Sequence, residues 1–370
     1  YVEDSATITP AGLGSFTTLP DTTNKILTYD FGTGTTINST YSIIFKTTVT
    51  DAAIFANNAT KDYWNTAKLL VGELLSSDAA KQTVNSQVIE KTSAGYDYAN
   101  KIVTWKIIAN QNKMKLTNAN VTDIIPNTLT FVPGSVTING NPASAGNYSY
   151  DNPAKKFTYH LGDISDTQTI TFQTKITDLS VFVNNGDVKL KNIATLTDNE
   201  YSTGVSSEGT ATIKNTIVSK NADYETGNDY IDWMVNVNSN KVALSNVTLT
   251  DILQEGLELN TSSVQMYRQT LNPDGTLTVK DQVSYPASNI TYKPDTREIV
   301  FTLPSSSEAY LLTFRTNITD KTKSPFANSI SFAGTGANST SDSHIVDIKD
   351  QSYGGGASAS NGSITVIKVD

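Results

Sequence analysis

A seven-residue string occurs three times in the chain, and this recurrence constrains the fold more than any other feature. It reads Phe45-Lys-Thr-Thr-Val-Thr-Asp51, Phe172-Gln-Thr-Lys-Ile-Thr-Asp178 and Phe314-Arg-Thr-Asn-Ile-Thr-Asp320. An Asn-led strand pattern follows each copy: Asn65-Thr-Ala-Lys-Leu, Asn192-Ile-Ala-Thr-Leu and Asn328-Ser-Ile-Ser-Phe, at gaps of 14, 14 and 8 residues. Two further pairs repeat in the same order. Val103-Thr-Trp-Lys-Ile107 matches Ile231-Asp-Trp-Met-Val235, and Asn120-Val-Thr-Asp-Ile-Ile125 matches Asn246-Val-Thr-Leu-Thr-Asp-Ile252. Self-similarity at this period marks tandem modules. Two complete units are expected, 83–213 and 214–349, each large enough to bury its own core.

The residue types call for an all-β fold. Thr, Val, Ile and Tyr favour strands, and Asn, Gly, Asp and Ser punctuate them at the spacing of sandwich turns. Helical periodicity is absent beyond a turn or two at 52–59 and 74–80. The chain carries 27 basic and 36 acidic residues, a net charge of -9. Just three of the basic residues are Arg (Arg268, Arg297 and Arg315). Nucleic-acid binders need phosphate-neutralising cations, so that partner class is disfavoured, as is an anionic membrane surface. No apolar run approaches the roughly 20 residues of a membrane span. With no Cys, disulfides and thiol chemistry are excluded. His160 and His344 are the two imidazoles and lie far apart in sequence, which argues against a multi-His metal site. No cofactor is expected.

The first unit reads as incomplete. Tyr1-Val-Glu-Asp-Ser-Ala-Thr-Ile8 aligns with Phe131-Val-Pro-Gly-Ser-Val-Thr-Ile138, so residues 1–82 correspond to the later half of a sandwich. Half a sandwich has an open edge and an uncovered face. A trimmed fragment, or a second chain that completes 1–82, is the expectation. At the other end, the Gly- and Ser-rich stretch 350–362 reads as a flexible linker. Ser363-Ile-Thr-Val-Ile-Lys-Val-Asp370 then opens a strand with no evident partner.

Successive strand residues alternate faces, and this alternation places particular polar residues among apolar ones. Asn192 shares a face with Ala194 and Leu196, Asn328 with Ile330 and Phe332, and Asn65 with Ala67, Leu69 and Val71. Asp123 follows Val121 on one face, and Asp251 follows Leu249. Lys91 lies on the face of Ile89, and Lys220 on that of Val218, although Val88 and Ile217 make the opposite faces apolar too. Taken singly, each reads as a strand-end polar group reaching water. Their order argues otherwise. Lys91 to Asp123 is 32 residues and Lys220 to Asp251 is 31; Asp123 to Asn192 is 69 and Asp251 to Asn328 is 77.

A buried ion pair alone seldom stabilises a fold; a covalent bond between the amine and the carboxamide would. Burial favours a neutral amine and a protonated acid. The neutral amine is a competent nucleophile. The protonated carboxyl can polarise the Asn carbonyl and shuttle protons as ammonia leaves. Enforced contact supplies the entropic advantage.

These residues resemble a known pattern. Lys91, Tyr96-Asp97, Val103-Thr-Trp105, Val121-Thr-Asp-Ile-Ile-Pro126, Leu129-Thr-Phe-Val132, Gly134-Ser-Val136, Phe172 to Asp178 and Asn192-Ile-Ala194 resemble the immunoglobulin-like, isopeptide-forming domains of Gram-positive cell-wall-anchored adhesins. The likeness is to the collagen-binding domain family of collagen adhesins, over most of 83–347. It implies tandem immunoglobulin-like sandwiches with crosslinks Lys91–Asn192, assisted by Asp123, and Lys220–Asn328, assisted by Asp251. Asn65 would then be an orphan whose Lys and Asp lie elsewhere. The segment 363–370 looks like the opening strand of the adhesins' B-type repeat, with Lys368 as its crosslinking residue. The implied setting is extracellular, on a bacterial cell wall, with a host matrix protein such as collagen as partner and self-catalysed bond formation as the sole chemistry. The second full unit departs from the pattern: Asp251-Ile-Leu-Gln-Glu-Gly256 lacks the Pro of the first, and its Asp320-to-Asn328 gap is short.

Other constellations reduce to turns. Asn272-Pro-Asp-Gly-Thr276 lacks the ligand spacing of a calcium loop. Asp163, Asp166 and Asp178 read as surface-loop residues rather than a glycosidase pair. Tyr148 and Tyr150 read as sandwich packing rather than a ligand groove. The competing function is a purely structural stalk or pilus-like spacer, which would share every crosslink and lack a ligand groove.

Overall fold

The computed structural model describes residues 1–16, 25–50, 52–199 and 202–348, and the backbone of 355–360 and 363–368. The chain divides into two units, Tyr1–Gln87 and Val88–Asp370. Its architecture is all-β, and the second unit contains two immunoglobulin-like sandwiches in tandem.

Each sandwich is two antiparallel sheets with the same order of equivalent strands. In the first, one sheet runs Asn141–Pro142, Thr137–Ile138, Gln168–Ile176, Ile102–Ala109, Ile89–Asp97, with Leu129–Phe131 also on Gln168–Ile176. The facing sheet runs Tyr148–Asp151, Lys156–Ile164, Leu116–Ile124, Gly186–Thr197, Val205–Asn215. In the second, Val218–Asp223, Tyr230–Val237, Ala309–Ile318, Leu257–Leu271 and Leu277–Val283 face Ile290–Lys293, Glu298–Leu303, Ser245–Ile252, Phe326–Thr335 and Thr340–Val346. The strand alternation read from sequence is the alternation of burial: Val103, Trp105, Ile107 and Ala109 are buried in one strand, and Ile231, Trp233, Val235 and Val237 in its counterpart. Apolar side chains from both inner faces form the core.

By chemistry and order, four strands matter in each sandwich. The lysine strand (Ile89–Asp97; Val218–Asp223) is an edge of the first sheet. The aspartate strand (Leu116–Ile124; Ser245–Ile252) and the asparagine strand (Gly186–Thr197; Phe326–Thr335) are neighbours in the facing sheet. The closing strand (Val205–Asn215; Thr340–Val346) edges that sheet beside the asparagine strand.

The two sandwiches meet with almost no linker. Closing strand 205–215 gives way to lysine strand 218–223 after two residues. The Asn338 amide of the second sandwich donates to Val183 O (2.8 Å) of the first, and its side chain donates to Asn184 Oδ1 (2.8 Å). On the other flank, the Tyr98 amide donates to Pro273 O (3.0 Å), and the Lys214 amide donates to the Tyr98 hydroxyl (3.1 Å). The 272–276 segment is the expected turn, closed by the Asp274 carboxylate accepting from the Thr276 amide.

The first unit differs from its expectation. The half-sandwich read over 1–82 forms separate two-stranded ladders: Thr7–Thr9 with Ser42–Ile44, Ser15–Phe16 with Tyr29–Asp30, and Ala59–Val71 with Leu74–Ser86. The helical possibility at 52–59 is one turn, Ala52–Phe55, and that at 74–80 is strand. The tail differs as well. Gly355–Ser360, inside the stretch read as linker 350–362, pairs antiparallel with Ser363–Lys368. The strand thought to lack a partner therefore has one, because a backbone ladder needs no side chains and small residues can supply it.

Candidate functional site

The structure brings Lys91, Asp123 and Asn192 together in the core of the first sandwich, and Lys220, Asp251 and Asn328 in the second. All six residues are at most 2% exposed. Lys91 and Asp123 form a hydrogen-bonded pair, as do Lys220 and Asp251. The lysine arrives from the edge of one sheet, and the carboxyl and carboxamide come from adjacent strands of the other. Asp123 pairs in register with Ala194, which places Asn192 one diagonal step away on the same inward face. Asp251 pairs with Ile330, so Asn328 stands likewise.

Aromatic rings wall each lysine. The Lys91 Nζ lies 4.8 Å from the ring centres of both Trp105 and Phe172. The Lys220 Nζ lies 4.8 Å from Trp233 and 4.7 Å from Phe314. The Trp105 indole N–H donates to the Thr174 hydroxyl, and that of Trp233 to the Thr316 hydroxyl, both at 2.9 Å. These contacts explain the repeated string. Its Phe lies against the amine, and its Thr, two residues on, anchors the Trp. Sequence reasoning passed over both roles, although the conserved offset within the repeats of this one chain carried the signal.

Burial dominates the electrostatics. It pushes the Lys91 amine below its ordinary range against the opposing pull of Asp123, and pushes the Asp123 carboxyl up against Lys91 and the adjacent Asn192. Lys220 and Asp251 shift in the same directions for the same reason. The ring faces favour an ammonium by about 0.5–2 kcal/mol, less than the several kcal/mol that burying an ion costs. Burial therefore moves both members of each pair toward their neutral forms, amine and acid.

One further fact sets these sites apart. Oδ1 and Nδ2 of Asn192, both of Asn328, and Oδ1 of Asp123 and of Asp251 are buried without a partner in hydrogen-bonding geometry. An unsatisfied buried polar group costs about 1–3 kcal/mol. Having three at the same place in each of two sandwiches demands a common cause.

The remaining expected residues do not join such a site. Asn65 is exposed and lies opposite Ala80 in a two-stranded hairpin. Its inward placement is corrected: among the described residues, the hairpin is a two-stranded sheet with no further strand paired to it. Lys368 ends the strand that pairs with 355–360, and its side chain lies outside the described residues. Tyr148 and Tyr150 pack toward Phe131, with ring centres 6.5 and 4.9 Å away. Asp163 and Asp178 accept from backbone amides of Asn118 and Ser180. Among the described residues, no cluster of three or more His, Cys, Asp or Glu could hold a metal ion.

Comparison with known proteins places the second sandwich. Residues 215–343 match the collagen binding domain family. The collagen binding domain match covers roughly a third of the chain and includes Lys220, Asp251 and Asn328. Solved structures with similar folds include the collagen-binding domain of a Staphylococcus aureus adhesin, at 21% identity and TM-score 0.29, covering 36% of this chain and 99% of that one. The collagen adhesin of S. aureus is 18% identical with TM-score 0.30, covering 70% and 91%. The collagen binding subdomain of the Enterococcus faecalis surface protein ACE is 15% identical with TM-score 0.29, covering 37% and 99%. No curated protein sequence matches the chain. Among the described residues, no helix is long and apolar enough to cross a membrane.

Proposed function

We propose that this chain is a segment of a bacterial surface adhesin whose two sandwiches are each welded by a self-formed Lys–Asn isopeptide bond. The neutral Lys91 amine attacks Cγ of Asn192, and Asp123 donates a proton to the carbonyl oxygen and relays another to the departing nitrogen. An amide forms and one ammonia leaves. Lys220, Asp251 and Asn328 do the same in the second sandwich. This is a single intramolecular event in each domain, not turnover of an external substrate. The observation that carries the reading is the pair of orphaned amides: among the described residues, Asn192 and Asn328 are the buried carboxamides with neither side-chain atom hydrogen-bonded, and these are the groups the reaction would consume.

Intact mass of the full chain tests it. The expected value is two ammonias below the sequence mass, with a fragment in which Lys91 is joined to Asn192 and another joining Lys220 to Asn328. The unmodified mass would refute it.

The family match over 215–343 supports a host matrix ligand, collagen-like, for the second sandwich, and an extracellular, wall-attached setting. Immobilised collagen and other matrix proteins are the probes; absence of binding to all of them removes this half of the proposal and leaves the crosslinks. A structural spacer is the second reading. It is favoured by the two-residue junction, across which the Tyr98 amide donates to Pro273 O and ties the sandwiches together.

A further inference from the structure

The lysine strand is an edge strand, so alternate backbone N–H groups face away from its sheet partner and need acceptors. At each reactive lysine that acceptor is a side chain from the closing strand. The Lys91 amide donates to Ser207 Oγ (3.0 Å), and the Lys220 amide donates to Asp342 Oδ2 (2.8 Å). The positions correspond. Ser207 lies two residues before Gly209, which pairs with Asn192; Asp342 lies two before His344, which pairs with Asn328. Each clip therefore ties the nucleophile's strand to the strand beside its target. One clip is neutral and the other is a carboxylate.

We propose that Ser207 and Asp342 are positioning residues for the two crosslinks, and that the charge on Asp342 makes the second sandwich's bond form more slowly than the first's near neutral pH. The inference rests on the crosslinking proposed above. Attack requires the amine to be neutral. A carboxylate beside an amine favours its protonated form. Lys220 faces two carboxylates, Asp251 from the aspartate strand and Asp342 from the closing strand, and both hold its proton on. His344 lies on the closing strand on the same side as Asp342; the other neighbouring strands present Trp233, Phe314 and Asn328. Lys91 faces Asp123 alone among carboxylates that act on it, with Ser207 and Gly209 on the closing strand.

The sign follows. Asp342→Asn keeps an acceptor oxygen for the Lys220 amide and removes the charge. The neutral fraction of the amine then rises at any given pH, and the rate–pH curve of the second bond moves to lower pH. Ser207→Asp should move the first bond's curve to higher pH.

The experiment uses the full chain, collected in denaturant before it has folded and released into a series of pH values. Samples are quenched over time, digested and weighed, so that ammonia loss is read separately for Lys91–Asn192 and Lys220–Asn328. In the parent, the first bond should form several-fold faster at neutral pH. Asp342→Asn should close that gap, and Ser207→Ala should slow its own bond on the order of tenfold through looser positioning. Parental pH profiles in both Asp342→Asn and Ser207→Asp would overturn the role of charge. A parental rate in Ser207→Ala would overturn the clip. Ser207→Ala leaves the reactive triad untouched; if it fails to fold, Asp342→Asn still decides. Ammonia loss in neither sandwich of the parent would instead sink the crosslinking reading itself, a result distinct from equal rates in both.

Discussion

Hairpin 59–86 of the first unit and hairpin 186–215 of the first sandwich are built from related sequence, yet their asparagines have opposite fates. Asn65 lies opposite Ala80 and is exposed; Asn192 lies opposite Gly209 and is buried. In the first hairpin Leu69, Leu70 and Leu75 are 51, 69 and 63% exposed, whereas Leu190, Ala194, Leu196 and Ile213 of the second are buried. The difference lies in the company. Hairpin 186–215 has the aspartate strand alongside and the lysine strand across from it. Covering one large aliphatic side chain contributes about 1.5–3 kcal/mol, and under the proposed crosslinking the same cover is what would make an ordinary amide reactive. An asparagine's chemistry here is set by the strands that cover it.

The largest effect should come from removing the covered amide. Asn192→Ala should raise the intact mass relative to the parent by close to one ammonia, after allowing for the side chain. The lost bond would close a loop of roughly 100 residues, and by analogy with a disulfide that contributes about 4–5 kcal/mol. Calorimetry should show the first sandwich melting on the order of 15 °C lower, with the second unchanged. Asp123→Ala should give the same loss of crosslinking while leaving Asn192 in place. An unchanged melting temperature in both variants would break the comparison.

A smaller effect is expected opposite the amide. A Cβ at Gly209 would come within 3.0 Å of Lys91 Cγ and 3.2 Å of its carbonyl carbon. The first-unit hairpin carries Ala80 at the matching place, where the side chain is exposed. Gly209→Ala should therefore cost about 1–2 kcal/mol through overpacking, read as a lower urea midpoint at constant slope. No change would mean that the lysine strand is held less closely than its distances imply.

Much of this was legible in sequence because a repeated pattern averages out local ambiguity. The period-2 reading put Asp123, Asp251, Asn192 and Asn328 on inward faces, where they lie. It was equivocal for Lys91 and Lys220 because Val88 and Ile217 are also buried. Each of those residues immediately precedes a lysine strand, so it does not report that strand's alternation. The same reasoning failed at Asn65. Alternation tells which residues share a face and not whether anything covers it. Nor could it find Ser207 and Asp342, since their partners are backbone amides more than 100 positions away, and a serine or aspartate on a closing strand looks like solvent polarity.

The smallest expected effect is also the strictest control. Asn65→Ala should change the mass by the side-chain difference alone and the stability by no more than about 0.5 kcal/mol. The hairpin's cross-strand side-chain contacts run elsewhere, from Lys81 to Asp62 (2.6 Å) and from Thr60 to Asn85 (2.9 Å). With few buried apolar contacts, amides in 59–86 should also exchange with solvent faster than those in 186–215. If instead the parent loses a third ammonia that Asn65→Ala restores, Asn65 has met an amine in solution. Cover would then be something this hairpin acquires from a partner strand, and its difference from hairpin 186–215 would be one of occupancy rather than of kind.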